Sequence, residues 1–414
     1  MTAPRLPISR VEFTALCAMM FATIAFSIDA MLPALPEIGA ELSPDNVNRA
    51  QLILTSFVLG MGVGTFFTGP LSDRFGRKPV VYAGAALYIG SAGLAWMAQS
   101  LELVLAARFL QGLGAAGPRV VTLAIIRDLV SGREMARMMS FAMMVFTLVP
   151  AIAPTLGAAI IAFTGWRGVF AAFMLFSLIS VLWLHIRLPE PLAPENRRPF
   201  RPRLIVAALG EMWAIPAVRL PMMVQSLCFA MLFTMISTVQ QVFDITFEQG
   251  ASFPFWFGVI AIVAGSASLL NAALVMRLGM RVMVTVTLGA QMGLSGAMVL
   301  CWFVIPEMGV LFAVFLLWQA TVFFQAGLTI GNLNAMAMEP LGHMAGTAAS
   351  VMGAVSTVAG AALAVPVGLL FNGTPVPLAL GLGVEAALGF ALMMHLRRIE
   401  ARDAKRAPVP AVGI

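Results

Sequence analysis

The chain has 414 residues, is 60% hydrophobic and only 11% charged, and carries a net charge of +6 with a mean hydropathy of +0.94. Soluble domains hold about half apolar and about a quarter charged residues, so this composition excludes a soluble protein and describes an all-α polytopic membrane protein. Nucleic acid is not the expected partner of the basic balance, because the cations are scattered among apolar runs, and Cys17, Cys228 and Cys301 lack disulfide or metal-ligand spacing.

A spanning helix needs about 20 apolar residues. Twelve are predicted in chain order, over 11–34, 49–71, 79–98, 101–126, 136–163, 166–186, 216–243, 254–276, 282–304, 308–337, 344–370 and 376–397. The first follows Arg5 and Arg10 without a small-residue cleavage pattern, so it is read as a retained helix. Between the second and third lies Gly69-Pro70-Leu71-Ser72-Asp73-Arg74-Phe75-Gly76-Arg77-Lys78, which concentrates Asp73, Arg74, Arg77 and Lys78 in a hinge. Its glycines allow a tight reversal, and its cations can sit at a membrane face with their stems along helix ends.

Arginines recur in every second connection: Arg74, Arg77 and Lys78, then Arg127, Arg133 and Arg137, then Arg187, Arg197, Arg198, Arg201, Arg203 and Arg219. Arg277 and Arg281 follow, and the tail adds Arg397, Arg398, Arg402, Lys405 and Arg406, against Arg49 and Arg167 on the other face. The positive-inside rule places both termini in the cytoplasm. Residues 187–215 hold Pro189, Pro191, Pro194, Pro199 and Pro202 among their arginines, and nothing there promises a buried core. They read as a cytoplasmic linker between a six-helix bundle over 1–186 and a second over 216–397, with a cytoplasmic tail over 398–414. Ala272–Arg281 repeats the hinge pattern after the eighth helix but lacks an acid at the position of Asp73. Two pseudo-symmetric halves around a central site are a recurring transporter plan.

Gly69–Lys78 resembles the loop signature of the major facilitator superfamily (G-x-L-x-D-R-x-G-R-K) at every defined position. Arg108-Phe109-Leu110-Gln111-Gly112-Leu113-Gly114 resembles the family's helix 4 motif, and Pro150-Ala151-Ile152-Ala153-Pro154-Thr155-Leu156-Gly157 its antiporter motif in helix 5. Arg127-Asp128, Trp166-Arg167 and Asp29-Ala30-Met31-Leu32-Pro33 resemble the bicyclomycin/chloramphenicol-resistance (Bcr/CflA) efflux branch. The resemblance implies the twelve-helix major facilitator fold in a bacterial inner membrane and export of small amphipathic, cationic or neutral drugs in exchange for protons. A monomer in the lipid bilayer is implied, with no cofactor and no metal. A carrier for one metabolite, such as an amino acid or a small natural product, would keep the same loop residues and differ in its pocket. A membrane enzyme or receptor is the third class; no phosphate-binding loop or metal cluster speaks for it, and His185, His343 and His395 are dispersed. Two departures stand out: Ala153 and Ala158 replace glycines in the helix 5 pattern, which predicts looser packing, and Arg119 sits deep in helix 4 where a small residue is expected.

Proton exchange needs an acid facing an interior cavity. Asp29, inside an apolar helix where an ionised carboxylate is costly, is the candidate; a carboxylate reaching the far headgroups past Pro33 is the alternative. Arg108 lies about 10 Å along helix 4, at a depth comparable to Asp29, so the two can pair directly or through water, or Arg108 can act as a fixed tie between helices. Asp29, Arg108, Gln111, Gln225, Phe229, Phe233, Gln319, Phe323 and Asn332 are candidate substrate-binding residues on helices 1, 4, 7 and 10, with a proton or a cationic substrate competing for the Asp29 carboxylate. Glu385 in helix 12 is a further isolated acid, ranked below Asp29. Pro150, Pro154 and Gly157 predict a pliable or statically kinked gate helix. Gly69, Asp73, Arg74, Gly76, Arg77, Lys78 and Asp128 form an expected latch, in which Asp73 meets the N-terminus of helix 11 and Arg77 pairs with Asp128.

Overall fold

The computed structural model describes residues 8–406. Arg5, the side chains of Arg133, Lys405 and Arg406, and the tail beyond residue 406 lie outside the described residues. The helices are α1 (Arg10–Asp29), α2 (Leu35–Leu42), α3 (Leu52–Phe75), α4 (Arg77–Trp96), α5 (Leu101–Leu129), α6 (Gly132–Thr164) and α7 (Arg167–Arg187). They continue with α8 (Pro202–Ala214), α9 (Pro216–Gln241), α10 (Phe253–Leu278), α11 (Met280–Val304), α12 (Met308–Met338), α13 (Ala345–Leu369) and α14 (Val376–Arg406). With their flanking turns, eleven helices are long and apolar enough to cross a membrane, and α6 completes twelve with its apolar stretch Leu148–Thr164. No strand occurs among the described residues.

Helix ends follow local chemistry. Ser9 and Ser100 each accept a hydrogen bond from a backbone N–H of the first turn, opening α1 and α5. The first span is broken after Asp29 because Pro33 has no N–H to give and its ring crowds the carbonyl four residues earlier, that of Asp29. A short 3-10 turn over Leu32–Ala34 then leads into α2. Gly76 (φ 103°, ψ 162°) separates α3 from α4, and Gly279 (φ 82°, ψ 152°) separates α10 from α11. Both glycines hold a backbone conformation closed to residues with a Cβ, so the partial hinge repeat in the sequence is also a repeat of backbone geometry.

The first half packs backbone against backbone. A Cβ on Gly60 would overlap the carbonyl of Phe109 and one on Gly112 that of Phe57, which seats α3 flush on α5. The halves meet along two seams, α3 on α13, where Gly62 faces Val358, and α6 on α10, where Gly258 faces the carbonyl of Ala151. Among the described residues, the hydrogen bonds that join the halves all lie at the end away from the basic loops. There Asn48 donates to the carbonyls of Leu369 and Phe371, and the Gln241 amide reaches Val47 and Asn48.

The connection between the halves, expected to bury no core, does bury one over part of its length. Residues 202–214 form α8, with Ala208 and Met212 buried against Met222, Val351 and Met352. Ile205, Ala208, Leu209 and Met212 recur at helical spacing, and Pro202 stands in the first turn where its missing N–H costs nothing. The arginine-rich composition of the flanking residues masks that short amphipathic pattern.

Candidate functional site

Asp29 ends α1 and is 4% exposed. Among the described residues it forms no ion pair or hydrogen bond. The backbone immediately after it is gripped by α6: a Cβ on Gly157 would overlap the carbonyl of Ala30. The break in the first span and the motif of the fifth are therefore one contact. Packing here is tight despite the alanines of the motif, and Ala153 is itself buried.

Arg108 does not pair with Asp29. It is fully buried, donates to the Ser27 carbonyl (2.9 Å) and to Gln111 Oε1 (2.7 Å), and lies 4.3 Å from the ring centre of Phe57. Ser27 Oγ is 2.5 Å from the Tyr88 hydroxyl on α4. A guanidinium that has lost water is held here by a carbonyl, an amide and an aromatic face rather than by a carboxylate. Arg108 thus ties α5 to α1 two residues before Asp29. Phe57, Tyr88 and Ser27 did not emerge from the sequence as members of this cluster; a tyrosine on an apolar helix, in a chain with two, was the readable signal.

The second half carries the other candidates. Gln225 on α9 and Gln319 on α12 are buried, and Gln225 Oε1 and both amide atoms of Gln319 have no hydrogen-bond partner among the described residues. Phe229 and Phe233 stack at 5.4 Å, and Phe323 meets Phe257 edge-on at 5.6 Å. Asn332 donates instead to Asn271 on α10 (2.7 Å) and to the Leu328 carbonyl, which makes it an interhelical tie. Glu385 is 6% exposed, faces inward on α14, and leaves Oε2 without a partner among the described residues. A groove of about 490 Å³ runs along Trp213, Met222, Met223, Val355 and Leu388. It lies between α8, α9, α13 and α14 rather than among the candidate pocket residues.

The hinge residues form a compact cluster. Arg77, 3% exposed, bonds Asp73 (2.6 Å), Asp128 (2.7 Å) and the Ser72 hydroxyl (2.8 Å). The expected Arg77–Asp128 pair is present, but Asp73 is turned to Arg77 and, among the described residues, makes no bond to the N-terminus of α13. These partners all belong to the first half. What they hold besides one another is the connection: Glu190 accepts from the backbone N–H groups of Arg77 (2.8 Å) and Lys78 (2.9 Å), and Arg198 N–H donates to the Asp73 carbonyl. An anion on the first N–H groups of α4 meets the positive end of the helix dipole. Lys78 Nζ donates to the Leu188 carbonyl, and Arg74 stacks on Phe75 at 5.0 Å. Gly69 approaches Ser350 of α13. Glu190 lies among the prolines of the segment expected to be a linker without a buried core.

The chain matches the model of the Major Facilitator Superfamily over residues 15–365. It is 31% identical to a bicyclomycin resistance protein homolog of Haemophilus influenzae, over 86% of this chain and 89% of that one. It is also 26% identical to an uncharacterized MFS-type transporter, YdgK, of Bacillus subtilis, over 92% of this chain and 94% of that one. A multidrug resistance protein, MdtL, of Escherichia coli is 37% identical over 41% of this chain and 43% of its own length. Among solved structures, a D-xylose-proton symporter superposes with a TM-score of 0.74 at 13% identity, covering 92% of this chain and 97% of that one. The human organic anion transporter MFSD10 gives 0.65 at 16%, covering 93% and 100%. The chain belongs to the major facilitator superfamily: it is a multi-pass membrane transporter, not a member of an enzyme family. Its relatives include proteins named for bicyclomycin and multidrug resistance, as the motifs in the sequence led us to expect.

Proposed function

We propose that the protein exports drug-like small molecules across the bacterial inner membrane in exchange for protons, as a monomer, by alternating access, with both termini in the cytoplasm. The observation that carries this reading is Asp29, a carboxyl group buried at a helix break, held by no described partner and bordered by the antiporter-motif glycine of α6. An acid in such a place is costly while ionised and can switch between two states as its surroundings open to either face. Arg108 serves it indirectly, by fixing α1 at Ser27, so that the carboxyl group returns to one position after each cycle. Gln225, Gln319, Phe229, Phe233 and Phe323 supply a lining of amides and aromatic faces that suits varied ligands. The relatives named for drug resistance support export of drugs rather than of one metabolite.

The test is transport by purified protein in proteoliposomes with an imposed pH gradient, across a panel holding several drugs and several metabolites. Accumulation of chemically unrelated drugs that collapses with the gradient is the expected result. Movement of one metabolite alone, or accumulation indifferent to the gradient, would refute the reading.

A further inference from the structure

The interactions described so far leave one cation of the membrane interior unused. Arg119 lies on α5 in the stripe Arg108, Gln111, Ala115, Arg119 and Thr122, whose spacings of three and four place these residues on one helix face. That face looks into the first half: Arg108 meets Ser27 of α1, and Thr122 meets Met20 of α1. The guanidinium of Arg119 has a single contact of hydrogen-bond type, to the sulfur of Met61 on α3 at 4.0 Å. Among the described residues, no carboxylate and no oxygen acceptor reaches it.

The direction of the side chain matters more than its isolation. Helices α3 and α5 run parallel, with Gly64 level with Ala116 and Gly69 level with Val120. Met61 therefore lies well toward the membrane centre from the backbone of Arg119. A long basic side chain near a membrane face ordinarily bends outward to the headgroups. Arg119 bends inward, because side chains lean toward the N-terminus of their helix, and for α5 that end is on the far face. The result is a half-buried cation aimed at the interior. Asp29 cannot serve as its partner: it follows Ser27, which is level with Arg108, whereas Arg119 sits close to the level of Met20.

We propose that Arg119 is a recognition site for an anionic group, a carboxylate or sulfonate, carried by an amphiphilic organic substrate. A bidentate anion supplies the acceptors that the fold withholds. This inference rests on the transport reading above and extends its substrate class from cationic and neutral compounds to organic anions, with the proton remaining at Asp29.

Binding to the purified full-length protein in phosphatidylcholine nanodiscs tests it, corrected for protein-free nanodiscs. Two probes share one arylamine skeleton: 8-anilinonaphthalene-1-sulfonate carries a sulfonate, and N-phenyl-1-naphthylamine lacks it. Arg119→Gln should weaken the sulfonate by about tenfold, as expected for loss of a charge-assisted hydrogen bond, and leave the neutral probe within about twofold, while Arg119→Lys restores part of the loss. Equal changes for both probes, or an unchanged sulfonate, would overturn the assignment. Competition on the wild type guards against a variant that fails to fold. Benzenesulfonate should displace the sulfonate probe and benzenesulfonamide should not; equal displacement by both contradicts the proposal, as does displacement by added phosphatidylglycerol alone, which would make the occupant a lipid. None of these arms requires transport, so a protein that moved no drug would defeat the export reading and leave this contrast to be decided separately.

Discussion

The two six-helix halves repeat a hinge geometry at Gly76 and Gly279 but differ in the polar groups they bury. The first half buries ions: Asp29, Arg77 and Arg108 are nearly or wholly inaccessible, and Arg119 is half-buried. The second buries chiefly amides, Gln225, Gln240, Gln241, Gln291, Gln319, Gln325 and Asn332 against Gln51 and Gln111 in the first, with Glu385 as its buried acid among the described residues. Ions and amides do different physical work. An amide orients a ligand and never changes charge, whereas a carboxyl group in a low dielectric changes its whole interaction energy with one proton. On the function proposed above, this difference would put proton coupling in the first half and a lining tolerant of varied ligands in the second. The acid of the hinge has no counterpart in the repeat because its partner has none: Asp73 and Asp128 hold Arg77, whose position in the repeat is taken by Met280, while Arg281, at the position of Lys78, pairs with Glu400 on α14.

The sharpest way to break this division is at Gly157. A bulky side chain there collides with the backbone that follows Asp29, so Gly157→Leu should abolish transport while the protein still inserts in the membrane, as measured by uptake alongside surface labelling. An equivalent collision at Gly258 in the second half, facing Ala151, tests whether the effect belongs to Asp29 or to the seam. Next comes Arg108→Ala, which strands the Ser27 carbonyl and the Gln111 side-chain oxygen without a donor. Each orphaned group costs about 1–3 kcal/mol, so the temperature of thermal inactivation should fall clearly, and Arg108→Lys should recover part of it.

A smaller effect is expected from Glu190→Ala, which uncaps α4 and releases the connection. A lost cap costs about 1 kcal/mol, and limited proteolysis between residues 187 and 201 should accelerate without loss of helix content. The smallest is Glu385→Gln. If coupling resides in the first half, gradient-driven transport should change by less than about twofold. A large loss would give the second half a proton of its own and end the comparison.

Much of the architecture was legible from residue patterns alone. Apolar runs of bilayer length fixed twelve spans, and the loop glycines marked both hinges, because hydropathy and backbone conformation are local properties. The site was legible only as a roster. Asp29, Arg108 and Gln111 were identifiable as polar residues in apolar helices, and Arg77 with Asp128 as a pair. Which groups meet is a matter of helix rotation and level, and these depend on glycine contacts such as Gly60 with Phe109 that no single helix encodes. So Arg108 finds the Ser27 carbonyl in place of Asp29, Asp73 finds Arg77 in place of α13, and Asn332 finds Asn271. The amphipathic helix Pro202–Ala214 and the Glu190 cap are illegible for another reason: proline and arginine dominate the composition around them.

The claim on which the account turns is that Asp29 carries the proton without being needed to hold the substrate pathway together. Asp29→Asn keeps the shape and removes the charge change, so the decisive measurement compares two modes in the same proteoliposomes: drug accumulation driven by a pH gradient, and drug-for-drug exchange with no gradient. The account predicts that Asp29→Asn loses the first and retains the second. Gradient-driven accumulation at the wild-type level in this variant would contradict it.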